Sequence, residues 1–377
     1  MTTTTAIDLS KLPAPSIVEM VDYEVILAEM LSDLRARDPQ FDALVESDPA
    51  YKILQVAAYR EVLLRQRVND AAKACMLAYA TGANLDNLSA LYGVERLSGE
   101  TDTELRLRTQ LSLESLSVAG PSGAYKYHAL TAVYAWTDAD GLRWEQRAKD
   151  VSIERGNPGQ VVATVLAAVP VCLDDPDAEY PNFYNGSCWG VKIRYAGGYS
   201  DGATAMAVSA LVADIPDGTV IGFPGGGQFT LDADASAGDF EITGELVGAV
   251  ADGEEAGLVQ VINTALSAET VRPLCDTVKV RSAVIVEYSV NAELTLSYGP
   301  DASLVLQEAI SRIIAYIAAR HRVGYDVPLS GIITALSPEG VQSVALSSPD
   351  FTTVVDSAHA AWCRPENVII TVAGRND

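Results

Sequence analysis

Basic side chains are scarce in this chain. Its 377 residues carry 26 Lys and Arg against 50 Asp and Glu, for a formal net charge of −24. Phosphate contacts need clustered Lys and Arg, so this balance argues against a nucleic-acid-binding surface. Cysteine is also sparse, at 75, 172, 188, 275 and 363, with no CxxC spacing. An odd number in that pattern points to reduced thiols and synthesis in the cytosol; a Cys172–Cys188 bridge is the alternative left open. The only histidines are His128, His321 and His359, and they form no HExxH or paired spacing. Long apolar runs are missing. The longest nearly apolar one, residues 161–173, contains Thr164 and Pro170 and is too short to span a bilayer, so no membrane insertion is expected. The opening MTTTTAIDLSKLPAPS has neither the basic nor the apolar region of a secretory signal. With 49% apolar and 20% charged residues, the composition is that of an ordinary globular chain, long enough for two or three domains.

What stands out is the stretch 48–96, DPAYKILQVAAYREVLLRQRVNDAAKACMLAYATGANLDNLSALYGVER. Asp48 is a natural N-cap and Pro49 suits the first helical position. Thr81-Gly82 offers a left-handed stop. No Gly or Pro lies between, which predicts a helix of about thirty residues, roughly 45 Å long. Leu54, Ala57, Glu61, Leu64, Val68, Ala71, Cys75 and Ala78 follow one another in steps of three and four. This is a heptad seam, broken at Glu61 and lined by small residues in its second half. Such a helix needs a partner helix, from this chain or another. Arg60, Arg65 and Arg67 stand on it in an otherwise acidic chain. They read either as a solvated side with i,i+4 pairing, as in Glu61–Arg65, or as a docking face for an acidic neighbour.

The remaining pattern predicts an α+β chain. Residues 1–20 read as an extended arm, either a free tail or an arm ordered on a neighbour through Ile17 and Val18. An amphipathic helix follows over 21–37, with Ile26, Leu27, Met30, Leu31 and Leu34 on one face. A shorter helix is expected over 85–92. Thr101 with Glu104 is a capping box for another, so 21–135 is mainly helical. From 151 the texture changes: VSIERGNPGQVVATVLAAV is two strands joined at Asn157-Pro158-Gly159. Residues 277–298 alternate with period two but are too long for one strand, which predicts a break near 281–283. Asp301 caps a helix to about His321 with Leu306, Ile310, Ile313 and Ile317 inward, and Ser330 caps a shorter one. The strands VQSVAL and 367–372 complete a β–α–α–β–β pattern, an α/β sandwich with an antiparallel or mixed sheet.

No chemistry-bearing constellation emerges. FPGGGQF (223–229) lacks the Lys and the following helix of a phosphate loop and reads as a turn. Asp232, Asp234 and Ser236 imitate the start of a calcium loop, but the glycine is displaced to Gly238 and Thr243 stands where a bidentate Glu belongs. There is no GxSxG. Catalytic, cofactor and metal residues are therefore assigned to none.

Several long motifs carry a resemblance. LPAPS, the 48–96 stretch and GETDTELRLRTQLSLESLSVAGPSGAYKYHAL come in that order, followed by SAETVRPLCDTVKVRSA, YGPDASLVLQEAISRIIAYIAARHRVGYDVPLSGIITAL and GVQSVALSSP. Together they resemble the baseplate J-like family of contractile phage tails, over 12–168 and 257–350. The resemblance implies a structural, non-enzymatic wedge component of the baseplate, in the virion tail and assembled in the host cytoplasm. It implies a helical N-terminal region that bundles with a companion wedge protein, which makes Leu54, Ala57, Arg60, Leu64, Arg67, Val68, Ala71, Cys75 and Ala78 the expected interface. It further implies α/β domains that meet neighbouring wedges and copies of this chain in a sixfold ring, with hub, spike and sheath-initiating proteins nearby. In the family a short helix follows the strand pair at once; here it falls near 257–267. That makes 170–256 a β-rich insertion, similar to small β modules of phage structural proteins, in a first α/β domain of 136–169 plus 257–282. The region 283–377 is then the second. Two rivals stand beside this reading. One is an adhesin or carbohydrate-binding protein acting through Tyr180, Tyr184, Trp189, Tyr195 and Tyr199 of the insert; the other is a hydrolase of the cell envelope.

Overall fold

Helices come first along the chain and several β-sheets with interspersed helices follow, a mixed α+β arrangement. A computed structural model describes residues 7, 9, 12–13, 21–117, 120–137, 141–178, 186, 188, 190–211, 215, 217–223, 226–236, 238–273, 275–297 and 301–376. The expected contacts of Ile17 and Val18, and the positions of Tyr180, Tyr184 and Trp189, lie outside the described residues. The chain divides into two compact units, residues 1–96 with 100–110, and residues 97–99 with 111–377.

The first unit holds α1 (Tyr23–Arg37), α2 (Pro49–Ala74), α3 (Gly82–Ala90) and the start of α4 (Asp102–Ser115). Asp22 caps α1 by accepting from the Glu24 and Val25 amides. Ile26 and Leu27 of α1 are buried against Ala58 of α2, flanked by Met30, Leu31, Tyr51, Leu54 and Val62. The capping box is formed: the Thr101 amide donates to Glu104 Oε2 at 2.9 Å, and the Glu104 amide to Thr101 Oγ1 at 3.4 Å.

Helix α2 departs from the sequence expectation at both ends. Pro49 opens it, but the Asp48 carboxylate accepts from the Val45 amide and makes no cap to the helix. The helix stops at Ala74, after 26 residues or roughly 39 Å, not at Thr81. Residues 75–79 are turns. Arg106 of α4 donates to the carbonyls of Leu77 and Ala80, both at 2.7 Å, and so holds these turns in place. Gly82 is left-handed (φ +51) as expected, yet it begins α3 instead of ending α2.

In the second unit α5 (Ser122–Thr131) precedes a sheet of β1 (Val133–Thr137), β2 (Arg143–Arg155), β3 (Gln160–Ala167), β4 (Val171–Cys172) and a later strand, Thr277–Ser282. β2 and β3 are antiparallel through the Asn157–Gln160 turn, where the Gln160 amide reaches Asn157 O at 2.8 Å. The Thr277–Ser282 strand pairs parallel with β3, which demands a crossover; it contains α6 (Leu258–Ser267). α5 and α6 lie against this sheet and each other, burying Tyr125, Ala129, Val259, Ile262 and Leu266.

Inside the crossover, β5 (Val191–Lys192) pairs with β10 (Glu255–Ala256). β6 (Ala205–Ala207), β7 (Val220–Gly222), β8 (Gln228–Leu231) and β9 (Glu241–Val247) form an antiparallel sheet in the order β6-β9-β8-β7. FPGGGQF is the β7–β8 turn: the Phe223 amide donates to Gly227 O, and Phe223 and Phe229 are fully buried. Gly222 lies against β1. Tyr134 donates its hydroxyl to Gly222 O, and a Cβ on Gly222 would sit 2.1 Å from Trp136 Cδ1.

The 277–298 segment is broken at Ala283, and a second time at Tyr288–Ser289, giving β11 (Thr277–Ser282), β12 (Val284–Glu287) and β13 (Val290–Ser297). Then come α7 (Ala302–Arg320), capped by Asp301, α8 (Leu329–Ala335), β14 (Val341–Ser348), β15 (His359–Trp362) and β16 (Val368–Asn376). The sheet is mixed: β14 is antiparallel and β16 parallel to the central β13, while β12 and β15 pair parallel. Its core joins Val290, Leu294 and Leu296 to Val305, Ala309, Ile313 and Ile317 of α7. The inward row thus runs one residue ahead of Leu306 and Ile310, which are only half-buried, because α7 turns Val305 and Ala309 to the sheet. Pro328, not Ser330, occupies the N-cap of α8.

Cys172 and Cys188 are both buried free thiols, so the bridge left open by the sequence is not made. Cys172 Sγ accepts from the Asp175 amide, and Cys188 Sγ donates to Val165 O at 3.4 Å. Burial pushes the Cys188 thiol up to about 12.

Gly222→Ala is expected to destabilise the second unit by about 1–3 kcal/mol through overpacking against Trp136. Thermal unfolding followed by tryptophan fluorescence should show a lowered Tm; an unchanged Tm would mean Trp136 relocates without cost.

Candidate assembly interface

Helix α2 has no Gly or Pro after Pro49, so nothing in its own sequence interrupts it. Tyr51, Leu54, Ala58 and Val62, in steps of three and four, turn to α1. The opposite flank is apolar too and open: Ile53 is 68% exposed, Val56 63%, Tyr59 56%, Leu64 62% and Val68 59%, with Leu63 beside them. Isolated exposed apolar residues are unremarkable on a surface, whereas a contiguous stripe marks an interaction site.

Arg60 and Arg67 stand one and two heptads after Ile53 and are exposed on this flank. Neither makes an ion pair among the described residues. Arg65 differs: it donates to Glu61 one turn back, with Nη2 at 2.5 Å. Lys52, Arg60, Arg65, Arg67 and Lys73 outnumber Glu61 and Asp70 on α2, a basic element in an acidic chain. The stripe therefore offers apolar surface with cationic groups set into it.

The sequence-predicted residues divide. Arg60, Leu64, Arg67, Val68 and Ala71 are exposed together on α2, and Cys75 is exposed at its C-cap. Ala57 is half-buried. Leu54 belongs to the α1 contact, and Ala78 lies in the turn beyond the helix. Ile53, Val56, Tyr59 and Leu63 were missed. Ile53, Val56 and Leu63 follow a second heptad frame, 53–56–60–63–67, one residue ahead of the frame begun at Leu54, and Tyr59 stands beside it.

Charges on α3, α4 and their connection fix this helical frame. Arg108 and Glu100 form a nearly fully buried pair, with Nε–Oε1 and Nη2–Oε2 both at 2.8 Å, and Arg108 also donates to Glu95 O. Arg96 bridges Asp86 and Asp102, each at 2.7 Å, and donates to Glu100 O. The Gly82 amide, and then the Arg96 guanidinium, hold the Asp102 carboxyl below its ordinary range. These groups lock loops and helix ends together.

Other candidate residues are engaged locally. Asp232 accepts from Thr243 Oγ1, Asp234 from the Asp217 amide, and the Ser236 amide donates to Asp239. Among the described residues no group of three or more His, Cys, Asp and Glu is gathered as a metal requires. His321 is buried, with Nδ1 2.8 Å from Ala361 O and its ring against Trp362. Burial pushes the half-buried His128 below its ordinary value. His359 faces Asp356. Of the insert's aromatic residues, Tyr195 and Tyr199 pack with ring centroids 5.2 Å apart, and the Tyr199 hydroxyl accepts from the Ala207 amide.

An apolar, cation-studded helix flank on a frame of interlocked charges has the character of an assembly subunit. Comparison with known proteins narrows this. The model of the baseplate J-like N-terminal domain matches residues 46–101, which hold α2, α3 and the turn into the capping box. The chain is similar to "Baseplate protein J" of Escherichia phage P2, 33% identical over 385 aligned positions that cover 96% of this chain and 97% of that protein. It belongs to the baseplate J-like family of phage tail proteins.

Arg108→Ala should cost about 3–5 kcal/mol, since it strands Glu100 as a buried charge. A double replacement, Arg108→Met with Glu100→Leu, should lose less. Denaturant unfolding followed by circular dichroism decides; equal losses would show that the pair is not the lock.

Proposed function

We propose that this chain is a structural wedge subunit of a contractile phage tail baseplate or a related injection machine. It helps form a sixfold ring around the hub and couples host attachment to sheath contraction. The similarity to the P2 baseplate protein over almost the whole of both chains carries the proposal, and the open stripe of α2 supports it. Its partners are companion wedge proteins and other copies of itself, with hub, spike and sheath-initiating proteins nearby. It resides in the virion tail after assembly in the host cytoplasm. Its work is mechanical and it is not an enzyme: interfaces hold one arrangement of rigid parts and exchange for another when the sheath contracts.

The same reading divides the chain by task. Residues 1–20 are an arm and 21–135 the bundling region. The first α/β domain is 136–169 with 257–282, supported by the parallel pairing of β3 with β11 across the crossover. The insert is 170–256, whose longer strands pair among themselves, and 283–377 is the second α/β domain. In the bundling region the apolar flank of α2 meets a helix of the companion protein, and Arg60 and Arg67 meet acidic groups there.

Leu64→Asp and Val68→Asp place a charge on exposed positions and should change stability of the isolated chain by no more than about 0.5 kcal/mol. Each should abolish copurification with the companion wedge protein and the yield of contractile particles when the variant replaces the parent gene. Normal particle yield with both variants would overturn the role of this flank. Particles that form complete baseplates without the chain would overturn the wedge assignment itself.

A further inference from the structure

The three-stranded sheet around β13 ends in two bare edges. β14 is eight residues long and β16 nine, and each pairs with β13 alone. Among the described residues, the main-chain hydrogen bonds of 342–347 and 369–374 run to β13 and to nothing else. An unpaired edge is a template for another strand, and proteins usually blunt it by shortness, charge or proline. Those devices appear elsewhere in this chain: β6 and β7 have three residues each, and the edge strand β11 carries Lys279 and Arg281. On β14 and β16 such blunting features stand only near the strand ends, as Arg375 and the ladder shifts at 341–343, 346–348 and 372–374. Neither 341–348 nor 368–374 contains a charged residue or a proline. Ladder shifts leave a regular run on each edge, Ser343 to Leu346 on β14 and Val368 to Val372 on β16. On the latter Ile369 is 55% exposed.

We propose that β16 of one copy pairs antiparallel with β14 of the next, so that this sheet continues from subunit to subunit. The directions allow it, because β14 runs against β13 and β16 runs with it. A second copy is the occupant because every copy carries both bare edges. Head-to-tail addition that closes on itself covers both edges of every subunit, whereas two-fold β16–β16 pairing would leave every β14 bare. This inference rests on the ring reading of the proposed function and names the contact between copies. It does not involve α2.

The test uses the full chain with Thr371→Lys on β16 or Ala345→Lys on β14, both exposed positions, followed by sedimentation velocity. The parent should self-associate beyond the dimer. Each variant alone should remain monomeric with an unchanged circular dichroism spectrum. Their equimolar mixture should double in mass and stop there, since one intact β14 meets one intact β16. Dimers of Ala345→Lys alone would show two-fold β16 pairing and overturn the proposal. Variants that assemble like the parent, or a parent monomeric at every soluble concentration, would also overturn it. In either case the wedge assignment stands if binding of the companion protein persists, because both variants leave the α2 flank intact.

Discussion

The structure turns on a helix that is apolar on two sides. α1 covers the side that carries Leu54, Ala58 and Val62. The other side, from Ile53 to Val68, faces solvent. Fully burying a large aliphatic side chain is worth about 1.5–3 kcal/mol, so covering this stripe yields on the order of 10 kcal/mol. Association costs about 4–15 kcal/mol in lost freedom and ordering. A single flank is therefore near balance by itself. In the proposed ring, Arg60 and Arg67 would add selectivity for an acidic partner, and several contacts per subunit would supply the surplus, because each later contact forms at high effective concentration.

For α2 to dock a partner as proposed, it must also be held in one place. Arg106 holds the turns that follow α2 by taking the Leu77 and Ala80 carbonyls, and Arg108–Glu100 and Arg96–Asp102 tie the neighbouring loops and helix ends. Buried ion pairs add little net stability, because desolvation offsets most of their attraction. Their multiple, directional bonds suit them better to fixing geometry. In the second unit Asp150 plays a similar part. It accepts from Lys126 on α5 at 2.9 Å and from the Val323 amide beyond α7 at 3.3 Å, tying β2 to both.

Features governed by local chemistry were legible in the sequence. The Thr101–Glu104 box, the Asn157–Gly159 turn, the break at Ala283 and the Asp301 cap each depend on a few neighbouring residues. Features governed by distant residues were not. The turns that follow α2 are held by Arg106, some thirty positions later, and the inward row of α7 depends on how the sheet receives it. The open flank was half legible: periodicity marked one seam on α2 and the need for a partner helix. The frame begun at Leu54 straddles the α1 contact and the open flank, and only the position of α1 separates them. His321 and Cys188 gave no sign of burial in sequence, because their surroundings come from strands far along the chain.

The most direct test of the central claim is the solvent accessibility of the α2 flank before and after assembly. Hydroxyl-radical footprinting of the isolated chain and of intact tails would measure it at Ile53, Val56, Tyr59, Leu64 and Val68. Strong protection of these residues in tails, with little change at the exposed Leu304 of α7, is the predicted result. Equal labelling of the flank in both states would contradict the account.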